Sequence, residues 1–414
     1  MKKSMVITAA VLIGIFCMGN VQAQAQGDVS DIIDSVDIHG FISQGYFKTS
    51  DNNYLAEDSE DGTFQFNEFG INFASQLTDE LRVGLQLFAS DLGDVGNDEV
   101  KLDWAFADYR WRDWAGLRVG LMKMPVGFYN ETRDIDALRT NIFLPQSVYT
   151  ELLREAYVSL QGVAIYGNIP SDSMGSLSYQ FQVGTTNIDD DSGTAIFIEG
   201  LAMGAVEASN FDVDDMYAGS LQWVTPLNGL RVGGTMYNLS LTADASTTEA
   251  LGPIQPGTNL VFDMEDITGY VLSAEYTLGD LLLAVEYSRL DIEVGVPGIP
   301  KEMIPMKMDI ETEGYYVSAS YRFTDWFELG AYYSIYYPDV DDKDGDNLEA
   351  IGLPDHGAWL KDFALTTRFD INEYWIFKLE GHLMDGTATV FPPENPDDAE
   401  EDWYLLAAKM SFIF

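Results

Sequence analysis

Cysteine is nearly missing from this chain. Cys17 is the only one, and it lies in an apolar stretch read below as a cleaved leader. The remainder can form no disulfide, thiolate metal site or cysteine nucleophile. Bases are scarce: 22 Lys and Arg stand against 67 Asp and Glu, a formal net charge of −45. Such a chain will not hold nucleic acid through its phosphates, and at long range it attracts cations and repels anions. Histidine is limited to His39, His356 and His382. Acid–base catalysis usually needs a positioned histidine, and none of the three falls in a recognisable Ser/His/Asp arrangement; His382 with Asp385 and Thr387 comes nearest. An enzyme is therefore not expected. Beyond Met18 no run of 18 apolar residues occurs, which excludes helical membrane spans.

No cofactor motif is present either, and a calcium loop fails. With Gly345 at the sixth position of an EF-hand, Asp342 and Asp344 take the third and fifth, but Val340 and Ile351 occupy the first and twelfth, where acids are needed. Neither cofactor nor metal is expected.

What the chain does have begins with a leader. Lys2 and Lys3 precede the apolar run Val6–Met18, which is too short to span a bilayer, and Val21-Gln22-Ala23 offers small residues to signal peptidase. Residues 1–23 read as a signal peptide, with cleavage after Ala25 as the second choice. Residues 24–35 read as a short periplasmic segment, and 36–414 as one barrel.

Aromatics make up 13% of the residues, yet the mean hydropathy is −0.06. Apolar and polar residues alternate. The last strand shows this: Tyr404, Leu406, Ala408, Met410, Phe412 and Phe414 share one face at period two. With the leader, this pattern points to the outer membrane of a Gram-negative cell and to a closed, all-β transmembrane antiparallel barrel. Tyr404, Met410, Phe412 and Phe414 read as a C-terminal assembly signal for the barrel-assembly machinery. Sixteen segments near the length of a tilted span run from Val36–Lys48 to Trp403–Phe414, with eighteen as the alternative count. Short turns such as Leu77-Thr78-Asp79-Glu80, Gly279-Asp280 and Thr324-Asp325-Trp326 alternate with long loops. Leu177, Tyr179, Phe181 and Val183 oppose Ser178, Gln180, Gln182 and Gly184, so the interior is wet. Val100–Trp111 resists such sorting, because Leu102, Trp104 and Phe106 share a face with Asp108 and Arg110. Trp223, Tyr270, Trp326, Tyr337, Trp375 and Trp403 would suit interfacial girdles.

The loops at 49–62, 187–216, 338–357 and 384–402 hold 27 acids and one base, Lys343. All fall on one predicted side, the outside, where they would focus cations or share divalent ions with anionic lipopolysaccharide. The loop at 124–156 differs. It mixes Arg133, Arg139 and Arg154 with Glu131, Asp134 and Asp136, and its Ile135, Leu138, Ile142, Phe143 and Leu144 call for a packing partner. A wide barrel supplies one if the loop folds inward.

The run Ala105–Tyr149 resembles bacterial porins of the phosphate-selective type and their uncharacterised relatives. Ile38-His39-Gly40-Phe41-Ile42-Ser43-Gln44-Gly45-Tyr46 is similar to their first strand, and the terminal phenylalanine matches. The resemblance implies a sixteen-stranded homotrimeric barrel whose third loop, about 125–155 here, folds inward and narrows the pore. Phosphate selectivity is not carried over, because that type lines its channel with bases. Selectivity in such a pore comes from width and the charges at its constriction. The expected constriction sets Glu131, Asp134 and Asp136 against Arg133, Arg139 and Arg154 with wall residues Arg82 and Arg118. The expected function is passive diffusion of ions and small hydrophilic solutes with a cation preference. The alternatives are an anion- or substrate-specific channel using the loop arginines, and a structural or adhesive barrel.

Overall fold

The computed structural model describes residues 36–414 apart from 57, 94, 203, 251–253, 300–308, 392–394 and 396–398. The signal peptide and the 24–35 segment lie outside the described residues. No helix among the described residues is long and apolar enough to cross a membrane. Sixteen antiparallel strands carry the fold instead, and they close into a barrel through β1 and β16.

The strands are β1 (Val36–Thr49), β2 (Phe66–Gln76), β3 (Leu81–Leu92), β4 (Lys101–Arg112), β5 (Ala115–Lys123), β6 (Ser159–Ser171), β7 (Gly175–Thr185) and β8 (Val206–Val224). They continue as β9 (Leu230–Thr247), β10 (Asn259–Leu278), β11 (Leu281–Gly295), β12 (Asp309–Thr324), β13 (Phe327–Tyr337), β14 (Leu360–Asp370), β15 (Trp375–Asp385) and β16 (Asp402–Ile413). Closure leaves no edge, so every strand finds its backbone partners within the sheet, as lipid requires.

Side-chain alternation sets the two faces. On β7, Leu177 and Phe181 are exposed outward while Gln182 is buried inward. On β16, Tyr404, Leu406, Met410, Phe412 and Phe414 lie on the outer face, and Trp403, Leu405, Ala407, Lys409 and Ser411 lie inside. Trp403 is therefore no girdle residue. It is buried against Tyr54, ring centroids 5.2 Å apart, and its indole N–H donates to the Gly386 carbonyl. The tightest turn, Gly279-Asp280, pairs Leu278 with Leu281 and holds Gly279 at φ +60°, a conformation glycine adopts without strain.

Two features depart from the expected strands. First, β8, β9 and β10 are 19, 18 and 20 residues long, about twice the ~9–11 a tilted span needs. Val206–Met216, expected as loop, is strand interrupted by bulges near Asn210 and Asp214. Its acids masked the alternation, because this part of the sheet continues beyond the length a bilayer requires. Second, β4 carries a bulge. Trp104 pairs with Gln86 but Leu102 pairs with Leu87, so Leu102 turns outward while Trp104, Phe106 and Asp108 face inward.

The faces can be tested in the middle of β14, where Leu365 is exposed outward. Leu365→Arg should cost about 2–4 kcal/mol if it meets lipid at mid-bilayer. Gln222→Arg on the inner face of β8 should stay within about 0.5 kcal/mol. Urea unfolding in vesicles reads both, and equal costs would contradict the assignment of faces.

Candidate functional site

The segment between β5 and β6 enters the barrel. It contains 3-10 turns at Asn130–Thr132 and Asp136–Leu138 and a helical turn at Arg154–Tyr157. Val126, Ile142, Phe143, Leu144, Val148 and Tyr149 are buried. They pack on inward-facing residues such as Met216, Leu239 and Tyr316 on one side and Phe47, Phe66 and Leu405 on the other. Burial of this face holds the loop down, and buried charges require specific partners to match.

Four groups of residues provide those partners. Glu286 on β11 is fully buried. It accepts hydrogen bonds from the Tyr149 hydroxyl at 2.5 Å, the Tyr316 hydroxyl at 2.6 Å, the Ser273 hydroxyl at 2.5 Å and the Phe128 amide at 2.9 Å. Gly127 permits this approach: at φ +57° a Cβ there would lie 2.3 Å from the Tyr149 oxygen. Asp136 is met by Lys378 at 2.9 Å, the Ser411 hydroxyl at 2.7 Å, Arg139 at 3.6 Å and Lys409 at 3.7 Å. Glu380 accepts the amides of Ile142 and Phe143 at 2.8 and 2.9 Å. Beside it, His382 contacts Glu380 at 3.1 Å and Asp362 at 3.0 Å.

The fourth group ties the loop to the wall it leaves. Gln86 donates to Asp103 at 2.8 Å, and Lys123 bridges Asp103 at 2.6 Å to Asp134 at 2.5 Å. Arg154 also pairs with Asp134, and Glu151 accepts from Arg133 at 2.7 Å. Burial alone would raise the carboxyls of Asp134, Asp136 and Glu151, but the adjacent cations outweigh it and hold all three below the ordinary carboxylate range.

Five of the eight expected constriction residues thus come together inside the loop's own anchorage: Arg133, Asp134 and Asp136 are buried, and Arg139 and Arg154 nearly so. The other three face the lumen differently. Glu131 is exposed to lumen water, with Arg118, Gln180 and Lys123 around it. Enclosing protein pushes its carboxyl up, Arg118, Gln180 and Lys123 pull it back, and access to water limits the shift. Arg118 on β5 forms a fork with Asp108 at 2.9 and 3.1 Å. Arg82 on β3 is exposed and lies across the strand pair from Asp108.

Sequence reasoning missed most of the wall anchors: Lys123, Glu286, Asp362, Lys378, Glu380, His382 and Lys409. The one local signal was Lys378, Glu380 and His382 at alternate positions of β15, an inward charged row within an otherwise apolar strand. Asp342, tried above as a calcium ligand, accepts the amides of Asn347 and Leu348 and so caps the short helix Asp346–Ala350.

A closed sixteen-stranded barrel with a loop folded into its lumen defines a class, the diffusion channels of the outer membrane. The family model described as Gram-negative porin matches residues 8–353, and the chain belongs to that family. Solved structures share the fold. The anion-selective porin from Comamonas acidovorans is 12% identical, with 92% of this chain and 99% of that one covered, at a TM-score of 0.55. OmpF of Salmonella typhi is 13% identical, with 92% and 97% covered, at 0.54. OprB of Pseudomonas putida is 11% identical, with 93% and 96% covered, at 0.53. No curated protein sequence matches the chain. The family and its neighbours are channels rather than enzymes, and the protein is an outer-membrane channel for small solutes.

The anchorage makes two predictions. Asp136→Ala leaves Lys378 and Lys409 buried beside no carboxylate of the loop, and removing one partner of a buried pair costs about 3–5 kcal/mol. The loop should loosen and single-channel conductance should rise; an unchanged conductance would contradict the anchor. The second concerns pH. Carboxyls held below their unfolded values contribute stability that is fully present above the unfolded pKa of about 4 and lost as pH falls through the folded values. No change of conductance through loop release is therefore expected from pH 7 to about 4, and such a change should set in progressively only as pH falls from there towards the folded values.

Proposed function

We propose that this porin is a passive, water-filled channel with a preference for cations. Its eyelet is set by Glu131 on the loop facing Arg118 and Arg82 on the wall, while Arg133, Asp134, Asp136, Arg139 and Arg154 hold the loop in place. The observation that carries this reading is the exposure of Glu131: it is the loop acid left open to water while its neighbours are paired. Arg118 is balanced by Asp108, so the eyelet's charge is not dominated by arginine. The acidic outer loops add in the same direction by enriching cations at the mouth. The alternative of an anion channel run by the loop arginines is disfavoured by their pairing to Glu151, Asp134 and Asp136.

The same reading carries an export signal at residues 1–23, assembly through the C-terminal strand by the barrel-assembly machinery, and a homotrimer. It also includes acidic loops that meet lipopolysaccharide through shared divalent cations. The exposed outward row of Tyr404, Leu406 and Phe414 supports insertion in lipid.

The test is the reversal potential of the refolded mature chain in a planar bilayer under a KCl gradient. A potential favouring K⁺ is expected, and one favouring Cl⁻ overturns the reading. Glu131→Gln should lower the K⁺/Cl⁻ permeability ratio roughly sevenfold, because one charge about 7 Å from an ion in water (~0.6 kcal/mol) favours K⁺ and opposes Cl⁻ by the same amount. Because its carboxyl lies above the ordinary value, Glu131 should lose charge first on acidification. The ratio should thus begin to fall at a pH where ordinary glutamates remain ionised, and Glu131→Gln should abolish that step.

A further inference from the structure

The lumen wall at the root of the loop is not lined by charge alone. Trp104 and Phe106 project inward from β4, half-exposed, with ring centroids 5.3 Å apart. Trp104 lies against Gly84 on β3, where an added Cβ would meet its ring at 3.0 Å. Tyr166 lies on Gly116 in the same way, 2.3 Å from where a Cβ would sit. Between them, the Arg118 guanidinium stands 4.4 Å from the Phe106 ring centroid and 5.1 Å from that of Tyr166. The Tyr166 hydroxyl and the Arg118 fork both go to Asp108. The result is a flat strip of rings and one guanidinium plane whose charge Asp108 balances. Glu131 of the loop lies near Arg118, Gln180 and Lys123 and stays exposed.

Aromatic faces left half-open to water gain by covering one another with a second ring, and a nearby carboxylate selects the sign of what that ring carries. We infer that Trp104 and Phe106, with the exposed Glu131 of the loop beside Arg118 on the same wall, form a solute subsite that favours organic cations bearing a planar ring. The ring lies on Trp104 and the ammonium group turns to Glu131. The acidic mouth delivers solutes of that charge and repels anionic ones. The inference deepens the channel reading above and rests on it.

The test compares block of the K⁺ current by phenethylammonium with block by n-hexylammonium, a linear cation of similar size, in single channels of the refolded mature chain. Phenethylammonium should block about three- to tenfold more tightly in the wild type, the range of one aromatic contact. Trp104→Ala should remove the difference, block being read relative to each variant's own K⁺ conductance, and Trp104→Phe should restore part of it. Glu131→Gln should weaken both blockers alike. Equal block by the two cations in the wild type overturns the subsite, as does a difference that survives Trp104→Ala and Phe106→Ala. Absence of any K⁺ current from folded protein would instead overturn the channel reading itself, so the two failures are distinguishable.

Discussion

A tube lined by strands can be narrowed only by placing backbone and side chains within it, and each buried charge they bring must be answered there. That constraint governs this barrel. Asp136 descends into the lumen only because Lys378 and Lys409, neighbours across β15 and β16, converge on it with Ser411 and Arg139. Glu286 and Glu380 do the converse, offering wall carboxylates to loop amides and hydroxyls that would otherwise lack partners. Remove these and the apolar face of the loop would still prefer burial, but its position would no longer be unique.

The anchorage also determines what the permeating solute meets. Lys123, Arg133, Arg139, Arg154, Lys378 and Lys409 are drawn into pairs beneath and within the loop. Arg231, Arg322 and Arg368 are matched on the wall by Glu275, Glu328 and Asp370. In a chain with three acids to each base, this leaves little free positive charge along the lumen and a surplus of carboxylates outside. The acidity of the sequence and the burial of its bases therefore act in the same direction.

The barrel was legible in the sequence because lipid on one side and water on the other write a period-two pattern that loops cannot imitate. The sixteen expected segments coincide with the sixteen strands, and Phe327–Tyr337 agrees at both ends. The inward third loop was legible from its apolar residues. The anchors were not, because Asp136 and Lys378, or Ile142 and Glu380, are more than two hundred residues apart and no local pattern links them. Nor could charge type alone separate Glu131 from Asp134: three positions apart on one loop, the first is open to water and the second is enclosed by Lys123 and Arg154. The extension of β8 to β10 was hidden for a different reason. Beyond the expected span the alternation is inverted: Leu239, Leu241, Ala243 and Ala245 are buried inside, and the polar Ser240, Thr242 and Asp244 take the outer face.

The bulge in β4 joins these themes. In an unbroken strand Asp103 would alternate with Trp104, and one of the two would face lipid. A carboxylate there is costly, and so would be the loss of the ring row inside. By setting Asp103 and Trp104 together opposite Gln86, the bulge keeps both inward. Asp103 then reaches Lys123 and, through it, Asp134 of the loop, while Trp104 and Phe106 remain on the wall. One extra residue in one strand thus fixes the loop's near end and keeps the aromatic surface on the wall beside it. Bulges often re-aim side chains, and here the re-aimed pair supplies one residue that holds the loop, through Lys123, and one that faces the lumen.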